Sequence, residues 1–420
     1  MPTSHPINSP EQTEAHCGLY KEPGGGSGHK GHFRQIALAG FLLCSGLVWL
    51  IQQLDFEFAL AHGLTVPDSV NMTLAIQKMW EQDRLLTHDS GFQAVVALYG
   101  WTWLLHPSFC FAVNLVLMLT NAALAKKVML ERLRAPAWAV LGLLANPYLM
   151  LVMPGPNKEI PLVFLTLLFA DAMLRSERRW WLACAICVPM YLLRDGYGLF
   201  MIGVISITWL LGRHERLLPV VVLALMLSAT ALWSSLASLI PAMARNLSIY
   251  NAQFDSAETL ASALSLDPFG PLGGLVLYAI RLVYNVAAQA FFSVFLTDRG
   301  DIYWIGVAYW VYGLMALMAC IGCAWRWLTN EGDPNQRLAA ALALSTWLMI
   351  SLSLFIQPRY FMPMLPIAFG VMAALPVHPR YASVTLALAL ALAVMSALAM
   401  TDRFPPAATP EVTATPAYVW

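Results

Sequence analysis

The stretch PGPNKEIPLVFLTLLFADAMLR, residues 154–175, sets a lysine beside a glutamate between prolines and then runs almost wholly apolar until Asp171. Such a run, about 16 residues from Glu159 to Leu174, approaches the roughly 17–25 residues a helix needs to cross a hydrocarbon core of about 30 Å. Similar runs recur along most of the chain. They are continuous rather than alternating, which excludes barrel strands and predicts an all-α, polytopic transmembrane helical bundle.

Composition agrees. Of 420 residues, 59% are hydrophobic and 11% charged, against roughly 25% charged in soluble domains, and the mean hydropathy is +0.63. Lys+Arg and Asp+Glu balance at 24 each, so no global field calls for nucleic acid, and charge position matters more than its sum. The seven cysteines include the pairs Cys184/Cys187 and Cys320/Cys323. Both pairs fall inside predicted spans without His or acidic neighbours, a setting for helix packing rather than for zinc or redox chemistry.

Eleven spans are predicted near 35–53, 108–125, 135–153, 159–174, 180–193, 196–212, 217–240, 302–325, 338–356, 360–376 and 382–400. Two further segments, 92–105 and 272–296, either cross, re-enter or lie on the surface. Lys126, Lys127, Arg132 and Arg134 follow the second span, Arg175, Arg178 and Arg179 the fourth, and Arg213 and Arg216 the sixth. The positive-inside rule makes these loops cytosolic, and Arg326, Arg337 and Arg380 join them only if 272–296 does not cross. The division is then a flexible cytosolic tail (1–34), a transmembrane body (35–400) and an external tail (401–420). Loops near 54–107 and 241–301 face out, and 69–82 has the pattern of an interfacial helix.

With this topology Lys158 and Glu159 stand at the outer end of the fourth span. Asn157 is placed to cap a helix there, and Pro161 is tolerated in its first turn. LLRDGYG sets Arg194 and Asp195 at the break before the sixth span, QPRYFMP sets Arg359 and Tyr360 at the tenth, and Arg281 lies inside 272–296. Cations at outward helix starts suit the phosphate of a lipid headgroup. The plainer reading is that Lys158, Arg194 and Arg359 snorkel to the interface, and that Glu159 and Asp195 balance the charge beside them. Charge inside an apolar run, as at Arg281, is more often functional. Asp55 and Glu57 follow the first span at once, where a carboxylate can serve as a base or simply as a solvated flanking charge.

The order of these features resembles the GT-C class of integral-membrane glycosyltransferases. LDFEF and SVNMTLAIQKMW resemble the acid-bearing first external loop with its interfacial helices. ANPYLMLVMPGPNKEIPLVFL resembles the segment carrying an outer-face acid or Lys-acid pair, and QPRYFMPMLPIAF the late Arg-Tyr span. NKE with LLRDGYG is also similar to bacterial O-antigen and exopolysaccharide polymerases. The acidic pair is split here as Asp55-Phe-Glu57, and no large external domain follows.

The resemblance implies a GT-C-like enzyme of the bacterial inner membrane with its active site facing the periplasm. It would move a glycosyl or oligosaccharide unit from a polyprenyl-(di)phosphate donor to a saccharide hydroxyl, in surface-polysaccharide synthesis. Asp55, Glu57 or Glu159 would be the catalytic acid or base, and Lys158, Arg194, Arg281, Arg359 and Tyr360 would bind the lipid phosphate. No cofactor is required, although a divalent metal is permitted. The implied partners are the lipid-linked donor, the acceptor, membrane lipid and polysaccharide-assembly proteins, with no nucleic acid. The rival reading is a flippase of lipid-linked oligosaccharide, in which the same cations line a path. A membrane acyltransferase would want a His deep in a span, whereas His62, His88 and His106 all fall in or beside the first external loop.

Overall fold

The computed structural model of the protein describes residues 27–61, 64–65, 67–82, 90–106, 108–212, 214–231, 304–352 and 360–376, with isolated positions in 275–282 and at 383 and 387. Among these residues every regular element is helical and none is a strand. The α-helices are α1 (Ser27–Leu54), α2 (Phe56–Ala61), α3 (Pro67–Gln82), α4 (Ser90–Tyr99), α5 (Phe109–Ala125), α6 (Leu141–Leu144), α7 (Pro147–Val152) and α8 (Glu159–Met173). They continue with α9 (Trp180–Leu193), α10 (Asp195–Leu211), α11 (Leu218–Ala231), α12 (Trp304–Thr329), α13 (Pro334–Ile350) and α14 (Leu365–Ala373).

Three described helices are long and apolar enough to cross a membrane: His32–Leu54, Phe109–Arg132 and Val311–Thr329. The second owes its length to a π-helical turn, Lys126–Arg132, that prolongs α5 without a break. α8 has 15 residues, about 22 Å at 1.5 Å per residue, and is buried along nearly its whole length. A helix apolar on every side is a central one, and α8 packs against α5, α7 and α9. α12, α13 and α14 form a second group, with α11 on α13 and α14 on α6. The perimeter is apolar: Leu43, Trp181 and Leu210 are each more than 70% exposed, as suits side chains facing lipid.

Most helix ends expected from the sequence reappear within a few positions among the described residues, and two expectations are corrected. The first helix begins at Ser27 rather than near 35. Segment 135–153 is not one helix but a 3-10 turn (Ala137–Val140), α6 and α7. The Asn146 side chain accepts from the Tyr148 and Leu149 N–H groups, with Pro147 in the first helical position, so the chain restarts a helix instead of continuing one. Segment 92–105, whose course the sequence leaves open, is made of α4 ending at Tyr99 and a 3-10 helix following from Gly100 to Leu104. A helix is present at 69–82 as expected, as α3, with Met72 and Ile76 buried and Asn71 and Lys78 exposed. Most of the span near 382–400 and most of the loop 241–301, segment 272–296 included, lie outside the described residues.

The loop cations gather at one end of the body. Lys127, Arg132 and Arg175 all pair with Asp171. Arg178 pairs with Glu215, Arg216 donates to the Leu328 carbonyl at 3.0 Å, and Gln336 to that of Leu133 at 2.7 Å. Four basic segments far apart in sequence therefore share one face, and the turn holding Arg326 and Arg337 is among them. That turn is fixed by Gly332: its φ is +86°, and a Cβ there would sit 2.4 Å from Arg326 Nη1.

Candidate functional site at the start of α8

At the other end of α8 the chain enters through PGPN. Asn157 Oδ1 accepts the Ile160 N–H at 2.9 Å, the capping role expected of it, one residue before the nominal N-cap, Lys158. Its amide nitrogen donates to the carbonyls of Val152 and Gly155, both at 3.1 Å. Two buried asparagines of α5 hold the loop from the side. Asn114 Nδ2 donates to the Met153 and Gly155 carbonyls at 2.9 and 2.8 Å, while its Oδ1 accepts the Tyr99 hydroxyl at 2.6 Å. Asn121 Nδ2 donates to the Ile160 carbonyl at 3.2 Å. Sequence reasoning missed this clamp. The available signal was the spacing of Asn114 and Asn121, seven residues and two turns apart on one face of an apolar helix.

Glu159 is 2% exposed. Its Oε1 meets Arg194 Nη2 at 3.3 Å, and its Oε2 accepts the Lys158 backbone N–H at 3.2 Å. Arg194 arrives from the hairpin between α9 and α10, where it alone separates the two helices in extended backbone, φ −155° and ψ 100°. α10 can fold back so tightly because residue 198 is glycine: a Cβ there would lie 2.3 Å from the Tyr191 nitrogen and 2.5 Å from the Cys187 oxygen. The guanidinium also stands over the Tyr360 ring, 4.5 Å from its centroid, a cation–π contact that strengthens as water is excluded. Among the described residues Arg194 Nη1 is buried without a hydrogen-bond partner.

Three separate stretches, NKE, LLRDGYG and the Tyr360 turn, are thus brought together. Among the described residues the cluster has the Glu159 carboxylate, the Arg194 guanidinium held on two sides, and one buried Arg194 donor without an acceptor. A charge so desolvated is held by its partner, and its remaining N–H is oriented before any ligand arrives. The acids of the first external loop are placed differently. Asp55 is exposed and caps α2, its Oδ1 accepting the Phe58 N–H at 2.8 Å. Glu57 is exposed in the first turn of that helix. Neither makes an ion pair with Arg194 among the described residues. Arg281 and Arg359 lie outside the described residues.

Three of the four paired cysteines are packing residues, whereas Cys184 is exposed. Cys187, Cys320 and Cys323 are buried, and the Cys187 thiol donates to the Ala183 carbonyl at 3.2 Å. Among the described residues no group of three His, Cys, Asp or Glu side chains is placed to hold a metal ion. Comparison with family models, curated proteins and solved structures finds no match to this chain.

Proposed function

We propose that the protein is a GT-C-like, eleven-span membrane glycosyltransferase or polysaccharide polymerase of the bacterial inner membrane. It takes a glycosyl or oligosaccharide unit from a polyprenyl-(di)phosphate donor and passes it to a saccharide hydroxyl in surface-polysaccharide synthesis. The observation that carries this reading is the Arg194 guanidinium, clamped by Glu159 and Tyr360, with its buried Nη1 unengaged among the described residues. A pre-oriented donor of this kind stabilises charge that develops on a leaving phosphate, the largest single term in many group transfers. The end rich in loop cations faces the cytosol by the positive-inside rule, which puts the Arg194 cluster on the periplasmic side.

In this reading Arg194 and Lys158, with Arg281 and Arg359, bind the donor phosphate, and Tyr360 fixes the angle of Arg194. Glu159 already serves two donors, so its part is to position Arg194. Asp55 or Glu57 is left to deprotonate the acceptor, the bond to the anomeric carbon forming as the phosphate departs.

The flippase alternative draws on one observation. Asn121 Oδ1 is buried without a partner among the described residues, so polarity extends inward from the cluster. Incubating purified protein with a polyprenyl-diphosphate oligosaccharide and an acceptor separates the two. The transferase predicts elongated product that is lost in Arg194→Gln and in Asp55→Ala or Glu57→Ala with the fold retained. Lipid translocation without product would replace it with the flippase.

A further inference from the structure

The basic end holds a cavity of 390 Å³ that the glycosyl-transfer reading does not use. Its wall comes from three parts of the chain: His214, Glu215 and Arg216 between α10 and α11, Trp327 and Asn330 at the end of α12, and Arg337 in the first turns of α13. Its size falls within the usual range of small-ligand sites, about 300–1,000 Å³.

The charges in this wall do not cancel. Glu215, the acid that lines it, is already paired with Arg178. Arg216 and Arg337 are in no ion pair among the described residues. Each is instead held by backbone carbonyls: Arg216 Nη2 by Leu328 at 3.0 Å, and Arg337 Nη1 by Gly332 at 3.1 Å and Asn330 at 3.5 Å. A guanidinium has five N–H donors, so these bonds orient each fork and leave further donors for an incoming anion. The Trp327 indole donates to the Arg216 carbonyl at 2.8 Å, locking an aromatic wall beside the cations. An arginine pair that needs no acid to hold its shape, walled by a fixed tryptophan, has the make-up of a basic pocket between helices that takes an anionic headgroup.

We infer that this cavity, between Arg216, Arg337 and His214, is a binding site for a phosphate-bearing anion. It lies at the end of the body remote from Arg194, so it takes a ligand other than the donor. The test is native mass spectrometry of the full chain in detergent, titrated with phosphatidylglycerol or phosphatidylcholine and then challenged with inorganic phosphate. The wild type should retain one phosphatidylglycerol at least 5-fold more strongly than phosphatidylcholine, or should bind inorganic phosphate directly. The first result identifies a lipid source, and the second a soluble one. Arg216→Gln/Arg337→Gln should lose that binding at least 5-fold, while Lys126→Gln, on an exposed cation of the same end, should keep it. Leu217 also lines the cavity, so Leu217→Trp, which fills it and removes no charge, should give the same loss and serves if the double variant does not fold. Equal binding by wild type and the cavity variants, or binding of neither ligand by the wild type, would overturn the site.

Discussion

The two ends of α8 each carry one buried acid, and the two acids are served in opposite ways. Asp171 is surrounded by three cations, whose side chains are 39%, 30% and 21% exposed. Glu159 has one, Arg194, which is 15% exposed and also held by an aromatic ring. At the Asp171 end the cations outnumber the acid and remain wet, so any single pair is replaceable and screened. At the Glu159 end the ion pair is one to one among the described residues and mostly dry, so losing either partner removes the main balance of a desolvated charge. The first arrangement ties several segments to one acid; the second holds a single guanidinium in one orientation.

Substitutions rank accordingly. Arg194→Ala should have the largest effect, destabilising the protein by about 3–5 kcal/mol through the orphaned Glu159 carboxylate. It should also lower glycosyl transfer by roughly 100-fold or more, as loss of a charge-stabilising donor does. Thermal unfolding in detergent and single-turnover product formation measure the two. Asn114→Leu comes next, because it strips partners from the Tyr99 hydroxyl and two loop carbonyls; about 2–3 kcal/mol is expected for groups left buried and unsatisfied. Asp171→Asn should cost less, about 1 kcal/mol, since its cations turn to water. The cost should shrink as salt is raised from 0.05 to 0.5 M, approximate bounds that carry the Debye length from about 14 to 4 Å. Lys126→Gln should be smallest, under about 0.5 kcal/mol by thermal unfolding, because its pair with Glu131 at 3.8 Å is half exposed on both sides. A larger loss from Asp171→Asn than from Arg194→Ala would reverse the comparison.

Much of the helical framework could be read from the residues, because the apolar runs are continuous and their ends are punctuated by Asn, Pro and charge. α9 and α8 begin and end almost where those marks put them. The division of 135–153 had a signal as well, the Asn146-Pro147 dipeptide, but a 19-residue apolar stretch outweighs one breaker when no partner is in view. The charged half of the candidate site was legible for a related reason: a cation in an apolar context stands out. The neutral half was not. Asn114, Asn121 and Tyr99 look like ordinary occupants of helices until the carbonyls of 153–160 are found opposite them. Asp55 shows the converse case, a conspicuous acid whose place in the fold is a helix cap, which only the Phe58 N–H reveals.

Affinity for polyprenyl phosphate in neutral-lipid nanodiscs tests most directly whether Arg194 is the phosphate-binding cation. The comparison is between wild type and Glu159→Gln/Arg194→Gln, in which both charges vanish together so that neither is left buried alone. The account predicts a loss of at least 30-fold with the unfolding midpoint nearly unchanged. Wild-type affinity in that double variant would contradict it.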